Sequence, residues 1–329
     1  MAAPGRFRAY AAVVLFLTLV STATAQYSGG MGEPNDPYQM ATAADLITLG
    51  ETPKGYDKHF LLTADIDLDP NLPGRKVFDK AVIAPDTDPW TDGFQGTPFT
   101  GEFDGNGHTI SHLTIQGRAY VGLFGCLESD AKVKDLGVVD VKVSGDYPVG
   151  GLVGHNRFGS VTQCHSTGTV SGEAFVGGLV GENAPEPKGF ISHSYSTGAV
   201  SANDAVGGLA GSSGGTVSCS YSTGPVTGRG QYIGGLVGCP SAFSGFYPPG
   251  QVPGDVSNSF WDTQTSDQAS SAGGTGKTTA EMQTAGMFLD AGWDFVGETA
   301  NGTEDIWWIL EGKDYPRLWW EAGDEASRF

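Results

Sequence analysis

The 329-residue sequence predicts an all-β chain wound into a right-handed parallel β-helix, and three observations carry that expectation. Five Gly-Leu-x-Gly tetrapeptides run through the middle of the chain, at Gly122–Gly125, Gly151–Gly154, Gly178–Gly181, Gly208–Gly211 and Gly235–Gly238, with start-to-start distances of 29, 27, 30 and 27 residues. A second motif keeps the same beat: HSTG at His165–Gly168, YSTG at Tyr195–Gly198 and YSTG at Tyr221–Gly224. Apolar residues recur in columns around both motifs: Val149, Val176, Val206 and Ile233; Leu152, Leu179, Leu209 and Leu236; Val161, Ile191 and Val217. Self-similarity at this period marks a solenoid, in which each unit buries its apolar face against its neighbours. Three short strands per coil and the chirality of parallel crossovers give the right-handed β-helix.

The elements follow in order. Arg6 and Arg8, the apolar run Ala11–Val20 and the small residues Ala23-Thr24-Ala25 read as residues 1–25 of a signal peptide, cleaved after Ala25. The apolar run is too short to span a bilayer comfortably. Residues 26–98 are expected to form a leader and capping segment. Within it, Gln26 to Pro37 reads as a mobile leader, Met40–Leu49 as one short helix, His59–Leu68 as a strand, and 70–98 as loop with a short strand at Val77–Ile83.

The repeats occupy residues 99–262. Phe99–Ile115 leads in, with a tight turn at Asp104-Gly105-Asn106-Gly107, where Gly and Asn accept positive φ. One repeat reads as a first strand Tyr147–Gly154, a turn His155–Ser160, a second strand Val161–His165 and a short third strand Thr169–Ser171. His165, Tyr195 and Tyr221 form one column, with Phe260 in its last place. Residues 263–329 read as a linker (Ala269–Lys277), a helix opened by the capping box Thr278-x-x-Glu281, and an aromatic tail that covers the last coil.

The whole chain carries 18 Lys and Arg against 37 Asp and Glu; without Arg6 and Arg8 the balance is 16 against 37, a formal charge of −21. That excess argues against nucleic acid or an anionic membrane as partner. Four cysteines allow three full pairings. Cys126 and Cys239 sit four coils apart, roughly 19 Å, and Cys164 and Cys219 two coils apart, roughly 10 Å, both beyond disulfide reach. Cys126–Cys164 and Cys219–Cys239 pairs stay open, and four unpaired thiols are the expectation.

The alternation of VGGLVG with YSTG resembles the GLUG-motif repeat of secreted and surface bacterial proteins, which also occurs as an accessory region of immunoglobulin A metallopeptidases and in adhesin-like proteins. GEFDGNGHTISHLTI before the array and SFWD, GKTTAEM, WDF and YPRL after it look like the usual flanks, so the resemblance covers about residues 99–320. It implies a β-helical extracellular module, secreted or held at the cell surface, and no particular activity. The sequence departs from the peptidase members because it contains no H-E-x-x-H.

Most candidate chemistry dissolves on inspection. GGTGKT at Gly273–Thr278 lacks the first glycine of a phosphate loop, since Ser271 stands there. Gly211-Ser212-Ser213-Gly214-Gly215 spells a nucleophile elbow but falls in a repeat turn. His108 and His112 lie roughly 13 Å apart if both are on a strand, too far to share a metal. Asp65, Asp67 and Asp69 alternate on one strand face and allow weak calcium binding, although Pro70 and Lys76 break an EF-hand loop. The charged residues of coils Val149–Gly238 (Arg157, Glu173, Glu182, Glu186, Lys188, Asp204 and Arg229) are placed in turns and share no column. The reading is therefore a non-enzymatic β-solenoid without catalytic residues, cofactor or metal, acting as a structural or adhesive module toward a glycan or an extracellular protein. The row Ser166-Thr167, Ser196-Thr197 and Ser222-Thr223 is the expected binding wall, unless those hydroxyls only stabilise their own turns. The alternative is a polysaccharide lyase or glycoside hydrolase with its site in the N-terminal loops.

Overall fold

A computed structural model describes residues 27–185, 189–240 and 254–322; the signal-peptide expectation falls outside them, as do Glu186 and Lys188. The chain is a β-solenoid whose stacked strands all pair in parallel, one rung per coil. One ladder runs unbroken through Tyr38, Phe60, Phe103, Val133, Val161, Ile191, Val217 and Val256. Parallel ladders run through Val121, Val149, Val176, Val206 and Ile233, and through Phe124, Val153, Val180, Ala210 and Val237. Nearly all of these side chains lie fully inside. Each buried Val, Leu or Ile contributes about 1.5–3 kcal/mol, so the repeat pattern itself builds the core.

The Gly-Leu-x-Gly motif makes the corner between two walls. The expected strand Tyr147–Gly154 is divided at Gly151-Leu152 into Tyr147–Gly150 and Val153–Asn156, which belong to different sheets. Leu123, Leu152, Leu179, Leu209 and Leu236 point into the core at this bend. A Cβ on Gly178 would stand 2.1 Å from Ser196 Oγ and 2.4 Å from the Gly208 carbonyl oxygen, and one on Gly181 would stand 2.6 Å from the Val149 amide nitrogen. No side chain fits between walls that close.

The expected second strand breaks at Gln163, leaving Ser160–Thr162, while its last residue, the third strand and the start of the next repeat's first strand join as His165–Gly177, in which Gly168 takes φ 109° at a register shift of the ladder. The turn expected at Asp104–Gly107 is a bend within one strand. Asn106 and Gly107 take positive φ inside the strand Glu102–Ser111, and the ladder to Lys132–Ser144 is parallel on both sides of a register shift.

Two polar ladders complete the interior. Asn156 Nδ2 donates to Asn183 Oδ1 at 2.9 Å, and Asn183 Nδ2 donates to Ser213 Oγ at 3.1 Å. The backbone N–H groups of Cys164, Ser194 and Ser220 donate in turn to the hydroxyls of Ser194, Ser220 and Ser259. Buried polar groups are tolerable here because every rung supplies the next one's partner.

The ends differ from expectation in two ways. Residues 27–37 are folded, not a mobile leader: Tyr27 is buried, its ring tilted against Tyr38 and edge-on to Phe60, and the chain doubles back through a bridge from Gly29 to Gln39. The helix Ala43–Gly50 follows, its capping box made by Thr42 and Asp45. At the far end the segment expected as linker is the closing rung. Thr275–Lys277 pairs with Phe260–Asp262, and Ala272 N–H donates to the Val237 carbonyl. Trp261, turned inward, plugs the last coil. The Thr278–Glu281 capping box is present, but the helix it opens stops at Met282 and a second one, Ala285–Asp290, follows. No disulfide joins the four cysteines, and Cys126, Cys164 and Cys239 are buried.

Candidate functional site

The second motif divides its residues between the inside and the outside of one wall. Ser166, Ser196 and Ser222 are stacked in register and turned into the solenoid, where Ser222 Oγ donates to the Gly235 carbonyl at 2.7 Å. The expected row of binding hydroxyls is thus half withdrawn: the three serines are core residues, and Thr223 is buried as well. Thr167 and Thr197 stay at the surface, and Thr167 Oγ1 accepts the Asp140 N–H at 2.9 Å.

The outward column is aromatic. The rings of His165 and Tyr195 stack at 5.0 Å, and those of Tyr195 and Tyr221 at 4.9 Å, each pair 7° from parallel. Over this column lies the C-terminal segment. Trp293 and Trp307 pack on Tyr221, Trp307 on Tyr195, and Trp320 on His165. The aromatic tail therefore covers a side wall along several rungs, not the last coil, and forms a second core there with Phe260, Phe288 and Leu318.

Where tail and wall part, they leave a cleft of about 430 Å³ lined by Thr167, Thr197, His165, Arg317, Trp320 and Glu321, with Asp65 and Thr109 across it. Tyr195 Oη donates to Glu321 Oε1 at 2.7 Å, and Tyr221 Oη to the Pro316 carbonyl. Burial raises both phenols well above their ordinary range. His165 is buried and its pKa is lowered, burial outweighing the opposing pull of Glu321, whose Oε1 stands 3.6 Å from Nε2. Neither ring nitrogen of His165 has a hydrogen-bond partner. The cleft combines an aromatic face with polar donors and acceptors, the chemistry of a polar ring-shaped ligand.

A charged cluster that the reading of coils Val149–Gly238 did not reach lies on the first rungs. Lys134 Nζ stands 3.1 Å from both Glu102 and Asp104, and Lys132 and His59 stand 3.7 and 3.8 Å from Glu102. Beside it Asp135 is pushed up to about 6, by burial first and by Asp104 second. The signal was in the sequence: Glu102 and Asp104 alternate on one strand and Lys132 and Lys134 on the next.

The three alternating aspartates do not converge. Asp65 meets His108 at 3.2 Å, Asp67 meets His112 at 2.9 Å, and Asp69 accepts from Asn71. Among the described residues no group of three or more His, Cys, Asp or Glu side chains could hold a metal ion. Ser213 of the apparent nucleophile elbow is buried in the asparagine ladder. No described helix is long and apolar enough to cross a membrane.

Comparison with known proteins agrees with the resemblance read from the repeats. Residues 145–171 match the GLUG motif. The chain is 34% identical over 225 residues to Halomucin of Haloquadratum walsbyi, covering 65% of this chain and 2% of that protein. It is 36% identical over 103 residues to a protein of Evansella cellulosilytica named as a proposed Gly-rich membrane protein, covering 31% of this chain and 10% of the relative. The chain thus spans a small part of the curated relatives it matches. A crystal structure of a Bacteroides ovatus protein, proposed as an immunoglobulin A1 protease, superimposes with a TM-score of 0.58 at 19% identity, covering 90% of this chain and 96% of the other. That likeness concerns the fold alone. Parallel ladders, leucine corners and the matched repeat agree: the chain is a β-solenoid that carries the GLUG motif.

Proposed function

We propose that this chain is a non-enzymatic module of an exported or surface-held protein, a stiff rod that presents its outer walls to a glycan or an extracellular protein. One observation carries the reading. The repeated residues are spent on architecture: leucines and valines fill the core, serines stack inside, and glycines let the walls meet. What recurs from coil to coil is a scaffold, while the cleft lined by Trp320 and His165 occurs once among the described residues. A relative named as a membrane protein and the acidic balance of the chain support a place outside the cell. Incubating the purified protein with a polysaccharide panel tests the reading. Retention on one polysaccharide without new reducing ends or unsaturated products is expected, and release of either product refutes it.

A second reading has an observation of its own. The Glu102, Asp104, Lys134 and Asp135 cluster places carboxylates beside a lysine on adjacent rungs, as acid–base chemistry on a polysaccharide requires. Under that reading the same panel gives products, and Lys134→Ala abolishes them.

A further inference from the structure

A second groove lies on the five-stranded wall, away from the cleft under the C-terminal segment. It encloses about 390 Å³ between Phe94, Tyr120, Tyr147 and Phe175 on one side and His155 and Glu182 on the other, with Asp92 and Arg157 at its rim. His155 and Glu182 belong to one column of the parallel sheet, in which Cys126, His155, Glu182, Ser212 and Cys239 stand in register on successive rungs, and these two form the floor.

Two features of the floor are unbalanced. Glu182 is 9% exposed, and its close partner among the described residues is His155, whose Nε2 stands 3.8 Å from Oε2. His155 is 7% exposed and neither of its ring nitrogens has a hydrogen-bond partner. Burial lowers the pKa of His155 against the opposing influence of Glu182, so at neutral pH the imidazole is uncharged and supplies no counter-charge. The nearby guanidinium is committed elsewhere: Arg157 Nη1 bonds Glu128 Oε1 at 2.5 Å, with the guanidinium over the Phe158 ring. An imidazole held this deep without hydrogen-bond partners is costly, and the Glu182 carboxylate beside it forms no ion pair with a lysine or arginine among the described residues, so a ligand that supplies a cation and hydroxyls satisfies both.

The walls narrow the choice of cation. Tyr120 stacks on His155 at 5.8 Å and meets Phe94 edge-on at 5.3 Å, while Tyr147, 47% exposed, stands at the mouth. Aromatic faces around an anionic floor attract an ammonium group. The volume exceeds what a linear aliphatic stem fills, and Tyr rings pair well with the apolar C–H face of a sugar ring.

We propose that this groove binds an amino sugar, with the protonated amine of a hexosamine ring on Glu182, its hydroxyls on His155, and its ring face against Tyr147. The proposal concerns a site distinct from the Trp320 cleft and holds whichever reading of the overall activity is correct.

Calorimetric titration of the full chain tests it, with the glucosamine trimer, its N-acetylated counterpart and lysine amide as probes. The glucosamine trimer is expected to bind at least about tenfold more tightly than the acetylated trimer. Glu182→Gln, which keeps the shape of the floor, is expected to remove that preference at an unchanged melting temperature. Tyr147→Ala, a change at the exposed mouth that leaves the fold intact, is expected to weaken the trimer several-fold. Trp320→Ala, in the other cleft, is expected to leave its affinity unchanged. Equal binding of both trimers, no binding of either, an unaltered Glu182→Gln protein, or loss of binding in Trp320→Ala overturns the assignment. Lysine amide binding as tightly as the trimer overturns the sugar ring as the recognised element.

Discussion

Tyr195 Oη donates to Glu321 Oε1 at 2.7 Å across 126 positions of sequence, tying the middle of the repeat array to the end of the described chain. The bond is charge-assisted and almost dry, and it is one of several that lay the C-terminal segment along the Tyr column. Tyr195→Phe is expected to destabilise the protein by about 1–2 kcal/mol. A double-mutant cycle with Glu321→Gln in urea denaturation should return most of that loss as coupling energy.

Stability should fall as the solution is made mildly acidic. His155, His165 and His193 are all held below the ordinary histidine value of 6.5, chiefly by burial. The unfolded chain accepts protons near pH 6.5 that the fold refuses, so stability is complete above that pH and is lost below it. Each such histidine contributes a slope of up to about 1.4 kcal/mol per pH unit. Asp135, pushed up to about 6, and His112, raised by its bond to Asp67, act in the opposite direction, the latter exposed and screened. Melting temperatures at pH 7.5 and 5.5 should differ measurably, and His165→Tyr, which restores the column residue of the neighbouring coils, should make the dependence shallower.

The inward serines should respond to mutation as core residues. Ser196 Oγ has no partner, so Ser196→Ala is expected to stay within about 0.5 kcal/mol of the parent, whereas Ser222→Ala loses a bond to Gly235 worth about 1 kcal/mol. Ser196→Val should cost more than either, because the space beside Gly178 is already closed. None of the three should alter polysaccharide retention.

The asparagine ladder should be sensitive at its centre. Asn183→Ala removes one acceptor of Asn156, which keeps its bond to the Phe190 carbonyl, and at once the donor to Ser213 and to the Thr216 carbonyl. A loss of about 1–3 kcal/mol is expected, measured as a lower urea midpoint with an unchanged slope.

The architecture was legible because a solenoid writes its period directly into the chain. The Val149 column, the Val161 column and the succession His165, Tyr195, Tyr221 and Phe260 all appear as in-register partners, and the Leu152 column is joined by backbone hydrogen bonds from each leucine to the next. Which side of the wall the serines face was not legible. Strict alternation from the inward Val161 places residue 165 inside and Ser166 outside. Gln163, and His193, Cys219 and Asn258 at equivalent corners, adopt φ near +50°, and this single left-handed residue resets the phase so that Cys164 and Ser166 turn inward. The His155–Glu182 column was missed for a related reason. Both were placed in turns, whereas the second sheet continues through Asn156 and Asn183. The site of the aromatic tail depends on contacts more than 90 residues distant in sequence, and no local pattern near Trp293, Trp307 or Trp320 announces them.

A stack joined only to its neighbours peels from an end, one layer at a time, and tension needs to break only one interface at any moment. Here the closing segment crosses the layers lengthwise, touching Phe260, Tyr221, Tyr195 and His165 in turn and reaching the backbone beside Gly107. It works as a splint. Force applied to the rod should meet one large rupture when this strip detaches, and only afterwards the small regular steps of unstacking coils.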